Sequence, residues 1–284
     1  MIFGITGNIN KEQVCIILNQ VANLFAKKDI EFYIDDSFKN RLDKSLSRHC
    51  TKFSNILKKV NFIISLGGDG TFLYTARKIG ASGIPILGIN AGNLGFMAEF
   101  SVKDLSELLK DILNENYRLS ERVVLKTRLP GGKFFYSLND IVIDRANSIR
   151  MIELEVDYSS NKVVKFVADG IILSTPTGST GYSMSAGGPI ITLDSKVFIS
   201  TPICPHTLTV RPIIFPDNGE INIRVNKNVD VRVTSDGQEF KNFKAPAEFK
   251  ITKADYSIKI IKRKRSNYFN TLNRKLFWGK DVRN

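Results

Sequence analysis

Three stretches of the sequence hold side chains whose types and spacing could do chemistry. The first is Gly67-Gly68-Asp69-Gly70-Thr71, set directly behind the apolar run 62–66. Three glycines in four residues allow positive φ and let amide groups approach a phosphate with no Cβ in the way. A helix-compatible segment, 71–79, follows at once, and its amino terminus would add partial positive charge. Asp69 is the odd member, because a carboxylate on a phosphate-cradling turn repels its ligand. It makes sense if Asp69 holds a metal ion or takes a proton from an attacking hydroxyl. The plain alternative is an Asp-Gly turn joining a strand to a helix.

The second stretch, Ser137-Leu138-Asn139-Asp140-Ile141-Val142-Ile143, puts an amide beside a carboxylate within a strand pattern. Adjacent strand residues face opposite ways, so both could serve one ligand only at a strand end or bulge. A turn in which both side chains satisfy local backbone is the alternative. The third stretch runs from Asp169 to Pro189. Between Ser174 and Pro189 every residue except Tyr182 and Met184 is Ser, Thr, Gly, Pro or Ala. Short hydroxyls and free amides are what a ribose and the edges of a base require, and Tyr182 offers a ring to stack on adenine. A flexible hydroxyl-rich loop is again the bland reading.

Several chemistries are excluded. There is no Gly-x-Ser-x-Gly elbow, and His49 and His206 are the only histidines, which argues against a serine nucleophile. Gly-x-x-x-x-Gly-Lys-Ser/Thr and Gly-x-Gly-x-x-Gly are both missing, so neither a Walker-type ATPase nor ordinary dinucleotide-dependent hydride transfer has its usual loop. No His/Cys cluster has the spacing of a structural zinc site.

These groups need elements to position them. Residues 1–118 alternate strand and helix: strand 2–6, helix 11–28, strand 31–34, a mixed basic stretch 37–60 that is partly helical, then strands 62–66 and 84–89. The segment 102–117 is an amphipathic helix with Leu105, Leu108, Leu109, Ile112 and Leu113 on one face. This alternation predicts an α/β domain built on a Rossmann-like parallel sheet. From 119 to 265 the texture changes to short alternating runs: 123–127, 134–137, 141–144, 152–158, 163–167, 171–175, 208–214, 220–225, 229–234 and 249–252. That is a mainly antiparallel all-β domain. The tail, 266–284, regains helical spacing over 270–278 and is expected to pack back on the first domain.

At 284 residues the chain can bury one large or two ordinary cores. The amino terminus lacks a basic, then apolar, leader pattern, and no apolar run reaches a membrane span. Cys15, Cys50 and Cys204 are unpaired in spacing and read as thiols of a reducing compartment, the cytoplasm. The net charge of +13 fits nucleic acid, an anionic surface or small polyanions such as nucleotides. Its densest run, 262–265, is expected to be a solvated face.

Taken in order, these pieces resemble the NAD kinases: the Gly-Gly-Asp-Gly-Thr turn, Gly88-Ile89-Asn90 with Gly95-Phe96, Leu138-Asn139-Asp140, and Asp169 through Pro189. Pro202-Ile203-Cys204-Pro205-His206, Arg211-Pro212, Asp236-Gly237-Gln238 and the stretch 272–279 also look like that family. The first piece alone is shared with phosphofructokinases and lipid kinases; the Asn-Asp pair and the long hydroxyl-rich stretch are more specific. The resemblance implies phosphoryl transfer to the 2′-hydroxyl of the adenosine ribose of NAD, with ATP and a divalent metal such as Mg2+, or polyphosphate, as donor. It makes Asp69 the general base, or the group that orients the hydroxyl, and sets Gly68, Gly70, Thr71, Phe72 and Asn90 around the nucleotide cofactor. Asn139 and Asp140 would grip NAD, and Asp169, Thr177, Thr180, Gly181, Tyr182 and Ser185 would line its pocket. It implies a homodimer or homotetramer, with no nucleic-acid or membrane partner.

Two positions depart from the family's pattern. Gly181 stands where relatives commonly carry Ala, and Val167 stands at a place linked with the choice between NAD and NADH. Two other readings remain open at this point: another kinase built on the glycine turn, acting on a sugar phosphate or lipid, and a non-catalytic nucleotide- or nucleic-acid-binding module.

Overall fold

The structure is a computed structural model describing residues 1–92 and 95–277. It divides into two compact units, Met1–Glu121 together with Ile258–Asn284, and Arg122–Ser257.

The first unit is built on a parallel sheet. Phe32–Asp35, Phe3–Gly7, Phe62–Leu66 and Ile86–Asn90 lie side by side, with Phe3 opposite Phe62 and Ile63 opposite Ile86. Ile260, on the last strand of the chain, pairs in parallel with Ile86. All five residues of Phe62–Leu66 are buried, as expected of a parallel strand covered on both faces. Helix Glu12–Lys27 buries Val14, Ile17, Leu18, Val21 and Phe25. The Phe25 ring lies 5.1 Å from that of Phe3, which stacks on Phe62 at 5.5 Å. Helix Leu105–Leu113 buries Leu105, Leu108, Leu109 and Ile112. Leu113, expected on the same face, is exposed at the helix end.

The mixed stretch 37–60 resolves into two 3-10 turns, Asp36–Arg41 and Lys44–His49, a two-residue strand and the short helix Phe53–Ile56. The tail helix, Tyr268–Leu276, belongs to this first unit and buries Thr271 and Leu272. The end of that expected helix, Trp278, lies outside the described residues, as does Gly279. In the run 262–265, Arg263, Lys264 and Arg265 are exposed as expected, and Lys262 is the exception. Lys262 is buried against Glu99 at 2.6 Å, and Arg263 pairs with Asp104 at 2.7 Å.

The second unit packs two antiparallel layers. One runs Ile213–Pro216, Val197–Ile203, Gly170–Ser174, Asp140–Asp144, Asp230–Ser235, Glu239–Lys244. The other pairs Asn161–Ala168 with Ile152–Tyr158, then Ile221–Val225, then the first half of Ala247–Arg263. Ile141, Ile143 and Leu173 of the first layer meet Leu154, Ile223 and Phe249 of the second in one core. Strand 208–214 does not form: Leu208 projects into solvent and the strand begins only at Ile213. Val197–Ile203 and Glu239–Lys244 are strands that the alternation pattern does not reveal. The first is buried on both faces and the second exposed on both, so neither shows the period of two.

Candidate active site

In the first unit, strand Phe62–Leu66 delivers the chain to Gly67, whose φ of +150° places it where side chains are strained. A Cβ there would also strike the side chain of Thr71. Gly68 precedes helix Asp69–Ile79 and its carbonyl accepts the amide of Phe72 at 3.0 Å. Nothing lies within 4 Å of where a Cβ would stand on Gly68 or Gly70, so both present open backbone beside the helix amino terminus.

Thr71 contributes its carbonyl to the hydroxyl of Thr75, which in turn meets Ser65 at 2.9 Å. Phe72 is completely buried beneath the turn, so its ring is a prop rather than a ligand contact. Asn90, at the end of Ile86–Asn90, turns its Oδ1 to the amide of Gly92 at 2.6 Å. The Asp69 carboxylate points at the segment 96–98. Its Oδ2 accepts the amide of Phe96 at 2.8 Å, and its Oδ1 those of Met97 at 3.0 Å and Ala98 at 3.2 Å.

In the second unit, the Asn139–Asp140 pair sits where strand Phe134–Ser137 hands over to Asp140–Asp144. Asn139 is thus off the strand and Asp140 opens it, the strand-end placement that lets neighbours share a ligand. Both line a cavity of about 520 Å3 together with Asp144, Tyr182, Asp236 and Phe240. Asp236 has φ +50° and a carboxylate that accepts the amides of Leu138, Asn139 and Asp140 at 2.9, 2.8 and 3.1 Å. Burial, and then the neighbouring charge of Asp236, push the Asp140 carboxyl up to about 7.

The hydroxyl-rich stretch packs on the same corner. Thr175 donates its amide to the Asn139 carbonyl at 2.9 Å and its hydroxyl to the Leu138 carbonyl at 2.6 Å. Gly178 touches Asn139 so closely that a Cβ would stand 2.5 Å from the Asn139 carbonyl carbon. Asn139 Oδ1, Ser174 Oγ and Thr177 Oγ1 are buried and lack a hydrogen-bond partner.

Thr180 bonds back to the Thr177 carbonyl at 3.5 Å. Gly181 would bring a Cβ 3.7 Å from Asn139 Nδ2 and 3.9 Å from Asp140 Oδ2. Tyr182 opens a short helical turn that ends at exposed Ser185. Burial, followed by the charges of Asp144, Cys204, Asp169 and Asp140, raises the Tyr182 phenol above its usual range. Asp169 is held by Arg145, Nε to Oδ1 at 2.7 Å.

Of the residues singled out from sequence, Asn139, Asp140 and Tyr182 line the cavity directly, and Gly181 stands within reach of two of them. Asp169, Thr177, Thr180 and Ser185 are not among the residues that line it. Asp144, Arg232, Thr234 and Phe240 also line it without having been singled out. Asp236 carried a signal only as part of Asp236-Gly237-Gln238; Arg232 and Phe240 stand in ordinary strand sequence and carried none.

Among the described residues, no three His, Cys, Asp or Glu side chains converge as a cation site. Asp69 accepts amides at both of its carboxylate oxygens. No described helix is long and apolar enough to cross a membrane.

An open glycine turn at a helix amino terminus and a polar cavity on a β unit, lined by Asn139, Tyr182, Arg232, Thr234 and three aspartates, are the marks of a protein that handles nucleotides. Comparison with known proteins agrees. Residues 3–117 match the family model of the ATP-NAD kinase N-terminal domain, and residues 138–263 that of the ATP-NAD kinase C-terminal domain. The NAD kinase of Chloroherpeton thalassium is 37% identical over 285 residues, covering 99% of both chains. That of Clostridium botulinum is 42% identical over 223 residues, 77% of this chain and 79% of its own. Among solved structures, yeast NADH kinase complexed with NADH superposes with a TM-score of 0.91 at 22% identity, over 99% of this chain and 89% of that one. An NAD kinase from Archaeoglobus fulgidus in complex with ATP gives 0.77 at 23%, over 98% and 99%. The chain belongs to the NAD kinase family.

Proposed function

We propose that this chain transfers the terminal phosphoryl group of ATP to the 2′-hydroxyl of the adenosine ribose of NAD. The hydroxyl oxygen bonds to phosphorus, the bond to ADP breaks, and one proton is released to solvent with NADP. The observation that carries this reading is the Asn139 corner. Three buried polar atoms there, Asn139 Oδ1, Ser174 Oγ and Thr177 Oγ1, lack partners, and Asn139 lines a cavity of about 520 Å3. Unsatisfied buried polar atoms cost about 1–3 kcal/mol each, and a ligand carrying several ribose hydroxyls is the kind that offsets such a cost.

In this reading Asn139 and Asp140 hold NAD hydroxyls, Tyr182 supplies a stacking face, and Thr177, Thr180, Gly181 and Ser185 shape the wall. Asp169 acts there through its charge near Tyr182. The open backbone of Gly68 and Gly70 receives the phosphates of the donor, with Thr71, Phe72 and Asn90 fixing the turn and Asp69 as its acidic group. Phosphoryl transfer is largely positioning and charge neutralisation, so the divalent cation belongs to the nucleotide substrate, as magnesium-ATP. Polyphosphate is the alternative donor. The working form is a cytoplasmic homodimer or homotetramer, which light scattering on the purified chain measures.

The test is NADP formation from NAD, ATP and magnesium, with Asn139→Ala as the comparison. Turnover that falls at least tenfold in the variant supports the assignment. No NADP from either ATP or polyphosphate overturns it and turns attention to sugar-phosphate and lipid acceptors.

A further inference from the structure

We infer that Arg232 is a substrate-binding residue, and that its guanidinium receives the pyrophosphate of the dinucleotide in the cavity of the second unit. This inference rests on the kinase reading above and supplies the part of the ligand that the hydroxyl-holding corner leaves unmatched. The floor of the cavity follows from strand periodicity. Side chains two residues apart share a face of a sheet. Asp140, Val142 and Asp144 of one strand thus lie beside Arg232 and Thr234 of the next, and all five line the cavity. The residues between them, Ile141, Ile143, Val231 and Val233, are buried in the core behind. The floor therefore has two ends. At one, the Asp236 amide donates to the Asp140 carbonyl at 3.0 Å; at the other, Asp144 stands opposite Arg232. Four residues of strand, about 13 Å, separate them.

The two ends differ in what they can bind. Asn139, Asp140 and Asp236 suit hydroxyl groups, which donate to carboxylates and amide oxygens. They do not suit a phosphate. Among the described residues lining the cavity, Arg232 is the only cation. Its Nε and Nη2 reach Asp144 Oδ2 at 3.4 and 3.2 Å, long for a charged pair, whose bonds ordinarily measure about 2.7–2.9 Å. The other Asp144 oxygen accepts the amide of Ala146 at 2.7 Å, so the carboxylate is fixed by backbone and in turn orients the guanidinium. Among the described residues Arg232 Nη1 has no hydrogen-bond partner, and the side chain stays 36% exposed. A guanidinium carries five donors in a fixed fork, and most of them remain for a ligand.

The ligand has its groups in a fixed order: ribose, two phosphates, ribose. With the hydroxyls of one ribose at Asn139 and Asp140, the next group along it is the pyrophosphate. A wall with three carboxylates repels that group unless a cation stands there. Arg232 stands on the same face of the same two strands, and its forked donors match phosphate oxygens in a way that a lysine ammonium does not. Phe240 is the partner of Thr234 on the third strand, which sets a ring beside the middle of the floor.

The experiment titrates the full chain calorimetrically with NAD, ADP-ribose and adenosine, beside thermal melts. The variants are Arg232→Met, Arg232→Lys and the double variant Arg232→Met with Asp144→Asn. Adenosine keeps the ribose and base and lacks the phosphates. We expect Arg232→Met to weaken NAD and ADP-ribose at least tenfold, the scale of a lost charged hydrogen bond, and to leave adenosine within twofold of the parent. Arg232→Lys should recover part of the loss. The double variant leaves no carboxylate unpaired, so it serves even where Arg232→Met is destabilised, and it should bind NAD as weakly as Arg232→Met does. Added salt should weaken NAD binding in the parent more than in Arg232→Met. An equal loss of adenosine affinity overturns the inference, because it makes Arg232 a general prop of the wall. Recovery of NAD binding in the double variant also overturns it, by reducing Arg232 to neutralising Asp144. So does unchanged NAD and ADP-ribose affinity in a folded Arg232→Met. A parent that binds ADP-ribose but makes no NADP sinks the kinase reading instead, while the titrations still judge Arg232; a parent that binds neither NAD nor ADP-ribose overturns both.

Discussion

Asp140 and Asp236 hold each other through a reciprocal pair of backbone-anchored hydrogen bonds. The Asp140 amide donates to Asp236 Oδ1 at 3.1 Å, and the Asp236 amide donates to the Asp140 carbonyl at 3.0 Å. The pairing brings two carboxylates into one cavity wall. The two are not equivalent: Asp236 is stabilised as an anion by three amides, whereas the Asp140 carboxyl is buried beside a negative charge.

A pH dependence of stability follows. The Asp140 carboxyl lies at about 7 in the folded chain against an ordinary 3.8. Between those values the folded state holds a proton that the unfolded state has released. Stability associated with this group is therefore fully present below 3.8 and is lost as pH rises towards 7. The interval is worth roughly 4 kcal/mol at most. Asp140→Asn should leave stability near pH 4 little changed and raise it at pH 8 relative to the parent, as measured by urea unfolding at both values. Equal responses at pH 4 and pH 8 would remove Asp140 as the titrating group. NAD affinity should behave in the opposite sense, tightening in the parent as Asp140 ionises and becomes a pure acceptor, and staying flat in the variant.

Two glycines of the hydroxyl-rich stretch should answer differently to the same methyl group. At Gly178 a Cβ would stand 2.5 Å from the Asn139 carbonyl carbon and 2.8 Å from its Cα. Backbone cannot move aside as a side chain does, so Gly178→Ala should cost roughly 1–3 kcal/mol and weaken NAD binding at least tenfold by displacing Asn139. At Gly181 the nearest atom is the Gly178 carbonyl oxygen at 3.2 Å. Gly181→Ala should change NAD binding by less than about threefold. Calorimetric titration with NAD reads both, and equal losses would show that Asn139 is not what Gly178 protects.

What could be read from sequence was governed by locality. The strand, glycine turn and helix around Asp69 are contiguous, and so are Leu105, Leu108, Leu109 and Ile112 on one helix face. The function of Asp236 is not contiguous: it caps amides 96 to 98 positions earlier in the chain, a relationship that no spacing rule encodes. Lys262 shows the same limit from the other side. In a basic run it reads as solvated, and only the folded chain sets it against Glu99. Strand Glu239–Lys244 is exposed along nearly its whole length, so the alternation that marks half-buried strands is missing, and Phe240 with it.

Asp35 supplies a prediction for the first unit. Its Oδ2 takes Lys78 Nζ at 2.9 Å and the Thr6 hydroxyl at 3.0 Å, while Oδ1 takes the Ser37 amide at 3.2 Å. Burial alone would raise this carboxyl. The Lys78 hydrogen bond and charge, with Ser37 and Thr6, more than offset that and hold it below the ordinary 3.8. Its contribution is thus present above about pH 4 and lost as pH falls through the lowered folded value. Lys78→Met should cost roughly 3 kcal/mol at pH 7, the low end for breaking a buried pair because Lys78 is 28% exposed. The loss should shrink towards pH 3. A loss that does not shrink would mean that Lys78 stabilises through its packing over the Phe53 ring, 4.1 Å away, and not through Asp35.

Phe240 and Tyr182 line the same cavity, and each is unusually open for an aromatic residue, at 65% and 47% exposure. Neither ring is needed to fill the core, so removing either should leave stability within about 0.5 kcal/mol of the parent. A ring that stacks on a base is worth about 1–3 kcal/mol. If these rings receive the flat groups of NAD, Phe240→Ala and Tyr182→Ala should each weaken NAD binding by roughly tenfold, and Phe240→Tyr should retain it. Fluorescence or calorimetric titration with NAD, run beside thermal melts, separates the two effects. Full affinity in Phe240→Ala would confine stacking to Tyr182 and leave Phe240 as an exposed residue of an edge strand; full affinity in both would move the base away from this cavity.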